Sequence, residues 1–167
     1  MGKLVEEVKN WNTPIIGAYL LWKFTHGYCK GHPNGDAPVG ILHFVAIAIL
    51  TNERLIKPVS NRRDSLQSYV RSFEDNKDSD LLLTIQERVI DKREYTLRAI
   101  DIAITQGLII WDTDSGKLYP CDLKNQPRRG KALKSKIKSE GEKAEILGKW
   151  FSKHDITTIA AYLKVVF

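Results

Sequence analysis

NTPIIGAYLLWKFTHGYC, residues 12–29, is the stretch that decides the fold. Asn12 and Thr13 precede Pro14, a capping residue followed by proline at the first helical position, where its missing N–H costs nothing. Ile15, Ile16, Ala18, Tyr19, Leu20, Leu21 and Trp22 leave no polar face in the first two turns. A helix apolar all round is buried on all sides, in its own core or against a partner. It should stop near Gly27 or Gly31.

Working outward, KGHPNGDAP (30–38) reads as a loop from its Gly, Pro, Asn and Asp. Pro38 should open a second helix, VGILHFVAIAIL (39–50), again nearly all apolar, and these two helices predict the centre of the core. Asp64 or Ser65 can cap a third, with Leu66, Tyr69, Val70 and Phe73 on one face. The next carries Leu82, Ile85 and Val89. A further stripe, Leu97, Ile100 and Ile104, predicts a helix that Gly107 closes. Residues 108–111 and 117–121 then read as a small β-hairpin around Asp112-Thr113-Asp114-Ser115-Gly116. Ser139 and Glu142 make a capping box for a helix bearing Ala144, Leu147 and Phe151, and Asp155 caps a last helix over 156–166.

The expected fold is mainly α with a small β-hairpin, a compact helical domain. The order helix, glycine, hairpin is shared by winged helix-turn-helix domains and many α+β domains, and both remain open. The expected division is a helical core over 1–121, a basic linker over 122–138, and a C-terminal helical pair over 139–167 that packs on the core or on a partner.

With 167 residues, 43% hydrophobic and 28% charged, the chain has the make-up of an ordinary soluble domain. Neither apolar run reaches the roughly 20 residues needed to span a bilayer. The first residues carry acids and no apolar secretory core. Cys29 and Cys121 have no framework spacing. A cytoplasmic protein with reduced thiols, away from the membrane, is the expectation.

No phosphate loop, zinc-protease or nucleophile-elbow motif is present, so no enzyme activity is expected. Glu87, Asp91 and Lys92 resemble a metal-nuclease set only as any charged helix does. His26, Cys29 and His32 stand as H-x2-C-x2-H, one ligand short of structural zinc; no metal and no cofactor are expected. The Asp112–Gly116 turn is too short and lacks the closing Glu of a calcium loop. His43, inside an apolar run, reads as a core histidine.

The net charge of +6 has a location. Lys124, Arg128, Arg129, Lys131, Lys134, Lys136 and Lys138 fall in fifteen residues without an acid, leaving 19 basic against 20 acidic residues elsewhere. Such a run is either a solvated linker or a contact for DNA phosphates or an acidic partner face. Trp22, Phe24, Tyr28, Trp150, Phe151 and Phe167 are the candidates for packing or a partner interface, core packing being favoured for Trp22.

Several segments resemble the middle component of three-component ABC systems, the family that includes the small third subunit of Lamassu-type anti-phage and anti-plasmid defence. They are Asn12-Thr13-Pro14 with Gly17, Leu21-Trp22, Phe24 and Gly27-Tyr28; the helix led by Pro38; Arg63 and Leu66; Leu97, Ala99-Ile100 and Gln106-Gly107-Leu108-Ile109; and Leu147-Gly148-Lys149-Trp150-Phe151. They occur in order over 11–167. The resemblance implies a non-catalytic accessory subunit that links an SMC-like coiled-coil ABC ATPase to an effector nuclease, with double-stranded DNA as a further candidate partner. The alternative is a stand-alone winged-helix DNA-binding regulator that presents residues 96–106 to the major groove.

Overall fold

The computed structural model describes residues 13–123 and 135–167. Among them are eight helices: α1 (Pro14–Gly31), α2 (Gly40–Leu50), α3 (Glu53–Ile56), α4 (Leu66–Asp75), α5 (Ser79–Asp91), α6 (Arg93–Thr105), α7 (Ser135–Phe151) and α8 (Ile156–Leu163). Strands β1 (Ile109–Asp112) and β2 (Lys117–Pro120) form an antiparallel hairpin between α6 and α7. The mainly helical fold with a small hairpin is the one read from sequence.

α1 is central because it is apolar on more than one side. One side of it, Leu20 and Phe24, joins the larger core with α2, α4, α5, α7 and α8. The other, Ala18 and Leu21, joins Ile47, Ala99, Ala103, Ile109 and Leu118 in a smaller core under the hairpin. Ile15 alone in its first turn is well exposed.

The closest helix pair is α1 with α7. Glycine makes that approach possible, since a Cβ at Gly27 would overlap the Glu145 carbonyl and one at Gly148 would overlap the Phe24 carbonyl. The inward face of α7 runs Ile137, Gly141, Ala144, Gly148, Phe151, alternating steps of four and three. Among the described residues the helix already runs from Ser135. Ser139 is therefore an exposed residue inside the helix and does not cap it, a correction to the capping box read from sequence.

Other local expectations meet the structure as follows. Ser65 caps α4, its Oγ accepting from Ser68 N at 3.2 Å, and Asp155 caps α8, accepting from Thr158 N at 2.7 Å. Gly107, at φ +71°, closes α6, and Leu108 N donates back to Ala103 O at 2.8 Å. α2 begins at Gly40, two residues later than Pro38, because the chain there is extended: Leu118 N donates to Pro38 O at 3.0 Å and Val39 bridges Lys117. The last helix stops at Leu163, since Lys164 turns left-handed (φ 58°) and Val165 folds back into the core. α3, capped by the Asn52 side chain, was not read from sequence.

The largest correction concerns α6. Its buried residues are Thr96, Ala99 and Ala103, while Leu97 and Ile104 are exposed and Ile100 is half-buried. The small residues face inward because α6 lies close to α1: a Cβ on Gly17 would stand 2.8 Å from the Tyr95 ring and 3.0 Å from the Ala99 methyl. Gly17 makes room there for the Tyr95 ring, while Leu97 and Ile104 are turned outward.

Arg88 ties α5 to the end of α2. Its Nε donates to Ala48 O at 3.0 Å and its Nη2 to Thr51 Oγ1 at 3.2 Å, where a cation meets the negative end of the helix. Arg88→Ala is expected to lower stability by about 2 kcal/mol, read as a shifted urea midpoint with an unchanged slope.

Candidate interaction surface

The sequence candidates separate once folded. Phe24, Trp150 and Phe151 lie in the core, with Phe24 and Phe151 in an edge-on contact 5.5 Å between centroids. Packing, not partner contact, is their role. Trp22 is half-buried and its Nε1 donates to Cys121 O at 2.9 Å, which fastens the exit of the hairpin to α1. Tyr28 stacks on His32 at 5.9 Å, half-buried, and Phe167 is exposed. Lys136 and Lys138 are exposed on the first turn of α7. Lys124, Arg128, Arg129, Lys131 and Lys134 lie outside the described residues.

His26, Cys29 and His32 do not converge. His26 meets the Trp22 ring edge-on, and His32 Nδ1 accepts from the backbone N–H groups of Asn34 and Asp36 at 3.2 Å. Among the described residues, no group of three potential ligands is placed to hold a metal ion.

Two polar devices lie along α1. His43 is fully buried, with Nε2 3.0 Å from Thr25 Oγ1 and Nδ1 3.3 Å from Val39 O. Desolvation pushes its pKa down to about 4, against the backbone carbonyls that favour the charged ring. Where α1 crosses α7, Glu145 accepts from Lys30 at 3.0 Å and pairs with Lys23 at 3.0 Å and Lys149 at 3.8 Å. Burial pushes its carboxyl up, but Lys23 and Lys30 outweigh that and hold it at about 2. Both devices bind the fold together.

A cavity of about 420 Å³ lies between α3, α4 and the start of α5, with Arg54, Lys57 and Arg63 among its lining residues. Two of these cations are engaged: Arg54 pairs with Asp78 at 3.4 Å, and Arg63 Nε donates to Pro58 O at 3.0 Å.

What is left outward-facing is apolar. Leu97 and Ile104 occupy one face of α6, and Ile110 with its cross-strand partner Tyr119 occupies the outer face of the hairpin. The model of the ABC-three component (ABC-3C) system Middle Component 3 family matches residues 1–167. The chain belongs to that family. No curated protein and no solved structure matches it.

For a middle component, the arrangement separates a structural centre from an outward apolar surface. Sequence reasoning missed that surface because it assigned the large residues of α6 to the core. The signal available was Gly17 together with the Thr96, Ala99, Ala103 spacing, which marks a close helix pair. No helix among the described residues is long and apolar enough to cross a membrane.

Proposed function

We propose that this middle component is a non-catalytic bridging subunit that joins an SMC-like coiled-coil ABC ATPase to an effector nuclease, in a cytoplasmic, Lamassu-type defence complex against phage and plasmids. It holds the effector inactive until the ATPase engages foreign or abnormal DNA ends. The observation that carries this reading is the family match over the whole of 1–167. The outward apolar residues of α6 and the hairpin support a protein partner.

A tagged pull-down from the native host in moderate salt, with mass spectrometry, tests it. Co-purification of a large coiled-coil ATPase and a nuclease-like protein is the expected result. Recovery of the chain alone would retire the reading.

The basic segment serves DNA phosphates or an acidic partner face. Lys136 and Lys138 stand exposed on α7, where an incoming anion can reach them. Reversing Arg128, Arg129 and Lys131 to Glu should weaken retention of the complex on DNA at low salt about tenfold. Circular dichroism should be unchanged; unchanged retention would sink this assignment. The regulator alternative fits less well. Residues 96–106 turn Thr96, Ala99 and Ala103 inward and offer Leu97, Arg98, Asp101, Ile104, Thr105 and Gln106 outward, with the base-reading Arg98 and Gln106 at a distance from each other along an apolar and acidic face.

A further inference from the structure

α5 and α6 behave as one kinked helix. Lys92 interrupts them at φ −92°, ψ 8°, yet Lys92 N donates to Arg88 O and Thr96 N donates to Lys92 O, both at 2.9 Å. The helical phase is therefore carried through the junction. The inward positions confirm it, Leu82, Ile85, Val89, then Thr96, Ala99, Ala103, in steps that keep the alternation of three and four across Lys92.

The outward positions keep phase as well. Leu83, Ile90, Leu97 and Ile104 recur every seventh residue, with 60%, 64%, 48% and 36% of their surfaces exposed. A stripe of that period is one of the two rows that make a coiled-coil seam, and its 22 residues extend over at most about 32 Å. Beside it runs a second row of the same period, Asp80, Glu87, Glu94 and Asp101, all exposed. None of these four acids enters an ion pair among the described residues. The opposite flank, with Gln86, Arg93 and Ile100, carries no acid.

We propose that the outer face of α5–α6 docks one amphipathic helix of a partner protein, with an apolar seam repeating every seven residues and Lys or Arg along the flank that meets the acidic row. Flanking charges set partner choice in such pairings. The proposal deepens the bridging reading and rests on it for the identity of the partner; the docking chemistry is testable without it.

Two synthetic 28-residue helical peptides serve as probes, both with Leu and Ile in the seam, one flanked by Lys and one by Glu. Titrated against the full chain by fluorescence anisotropy, the Lys-flanked peptide should bind at least about tenfold more tightly. Leu97→Ser with Ile90→Ser should abolish its binding while circular dichroism is retained. Glu87→Lys with Glu94→Lys and Asp101→Lys should reverse the preference. Equal binding of both peptides, or binding untouched by these changes, would overturn the proposal. So would a dimer by sedimentation equilibrium that the double Ser variant dissolves, because the stripe would then belong to a second copy of this chain. In co-expression with the other two components, the double Ser variant should lose the ATPase or the effector. A complex that survives it overturns the docking site and leaves the bridging reading standing.

Discussion

Gly148→Ala should cost about 3 kcal/mol, lowering Tm by about 10 °C. Alanine is intrinsically the better helix former, by about 1 kcal/mol. That gain is outweighed here because the new methyl meets the backbone carbonyl of Phe24 and lies 2.7 Å from Tyr28 N. A side chain could swing aside; a facing helix can only move away as a whole, and α7 would then withdraw Leu147, Trp150 and Phe151 from the larger core. Gly27→Ala should behave alike, since its methyl meets the Glu145 backbone. Because both changes wedge one interface apart, the double variant should lose less than their sum. Gly40→Ala is the control. Its methyl finds its nearest neighbour, Gly116 O, at 3.6 Å, an ordinary contact, so the variant should be neutral or up to about 1 kcal/mol more stable. Thermal unfolding of all four reads the result, and a Gly148→Ala protein as stable as the parent would refute the close crossing.

Acid should weaken the fold between pH 6.5 and about 4 through His43. Its folded pKa, about 4, lies below the ordinary histidine value of 6.5, so below pH 6.5 the unfolded chain takes up a proton that the folded chain refuses. The stability contributed by the neutral ring is thus complete above pH 6.5, declines as pH falls, and is gone near pH 4. The shift corresponds to about 3 kcal/mol. The geometry explains the resistance to charge. Thr25 Oγ1 donates to Leu21 O at 2.7 Å, and among the described residues no carboxylate faces the ring to compensate a proton. Glu145, held at about 2, withdraws its own stability only as pH drops below 4.5, and Glu140, whose carboxyl burial pushes up, acts with the opposite sign, so the loss of stability from 6.5 to 4.5 belongs to His43. Urea unfolding across that window should show the slope, and His43→Leu should flatten it whatever it does to absolute stability. A slope that persists in the variant would refute the assignment.

Local chemistry carried much of the fold. Pro14, Ser65, Gly107 and Asp155 each act through neighbours within five residues, and each does what its type and position indicate. Misreadings arose where a distant element decides. Pro38 looks like a helix start until β2 takes its carbonyl. The Ser139 and Glu142 pair looks like a cap until the chain is seen to be helical already from Ser135, with Gly141 against Tyr19 of α1. Leu97 and Ile104 look like core until Gly17 is seen to receive the Tyr95 ring and the Ala99 methyl, which sets another face of α6 against α1. The same reasoning divides the interface candidates. Trp150 and Phe151 are as apolar as Phe167, and only their position on α7 sends them inward. The basic segment shows the reverse, since its composition is plain and its first five cations lie outside the described residues.

The intimate crossing of α1 and α7 joins segments more than 100 residues apart. On the ribosome, at about 5–20 residues per second, α1 emerges several seconds before the helix that covers it. Throughout that interval Leu20 and Phe24 lack the cover that α7 supplies, and the loop that must be closed is long, which slows the search. The crossing therefore forms only once α7 has been made. A nascent chain stalled in the hairpin would display an apolar, glycine-notched helix with its matching half still untranslated, a state suited to chaperones and to aggregation.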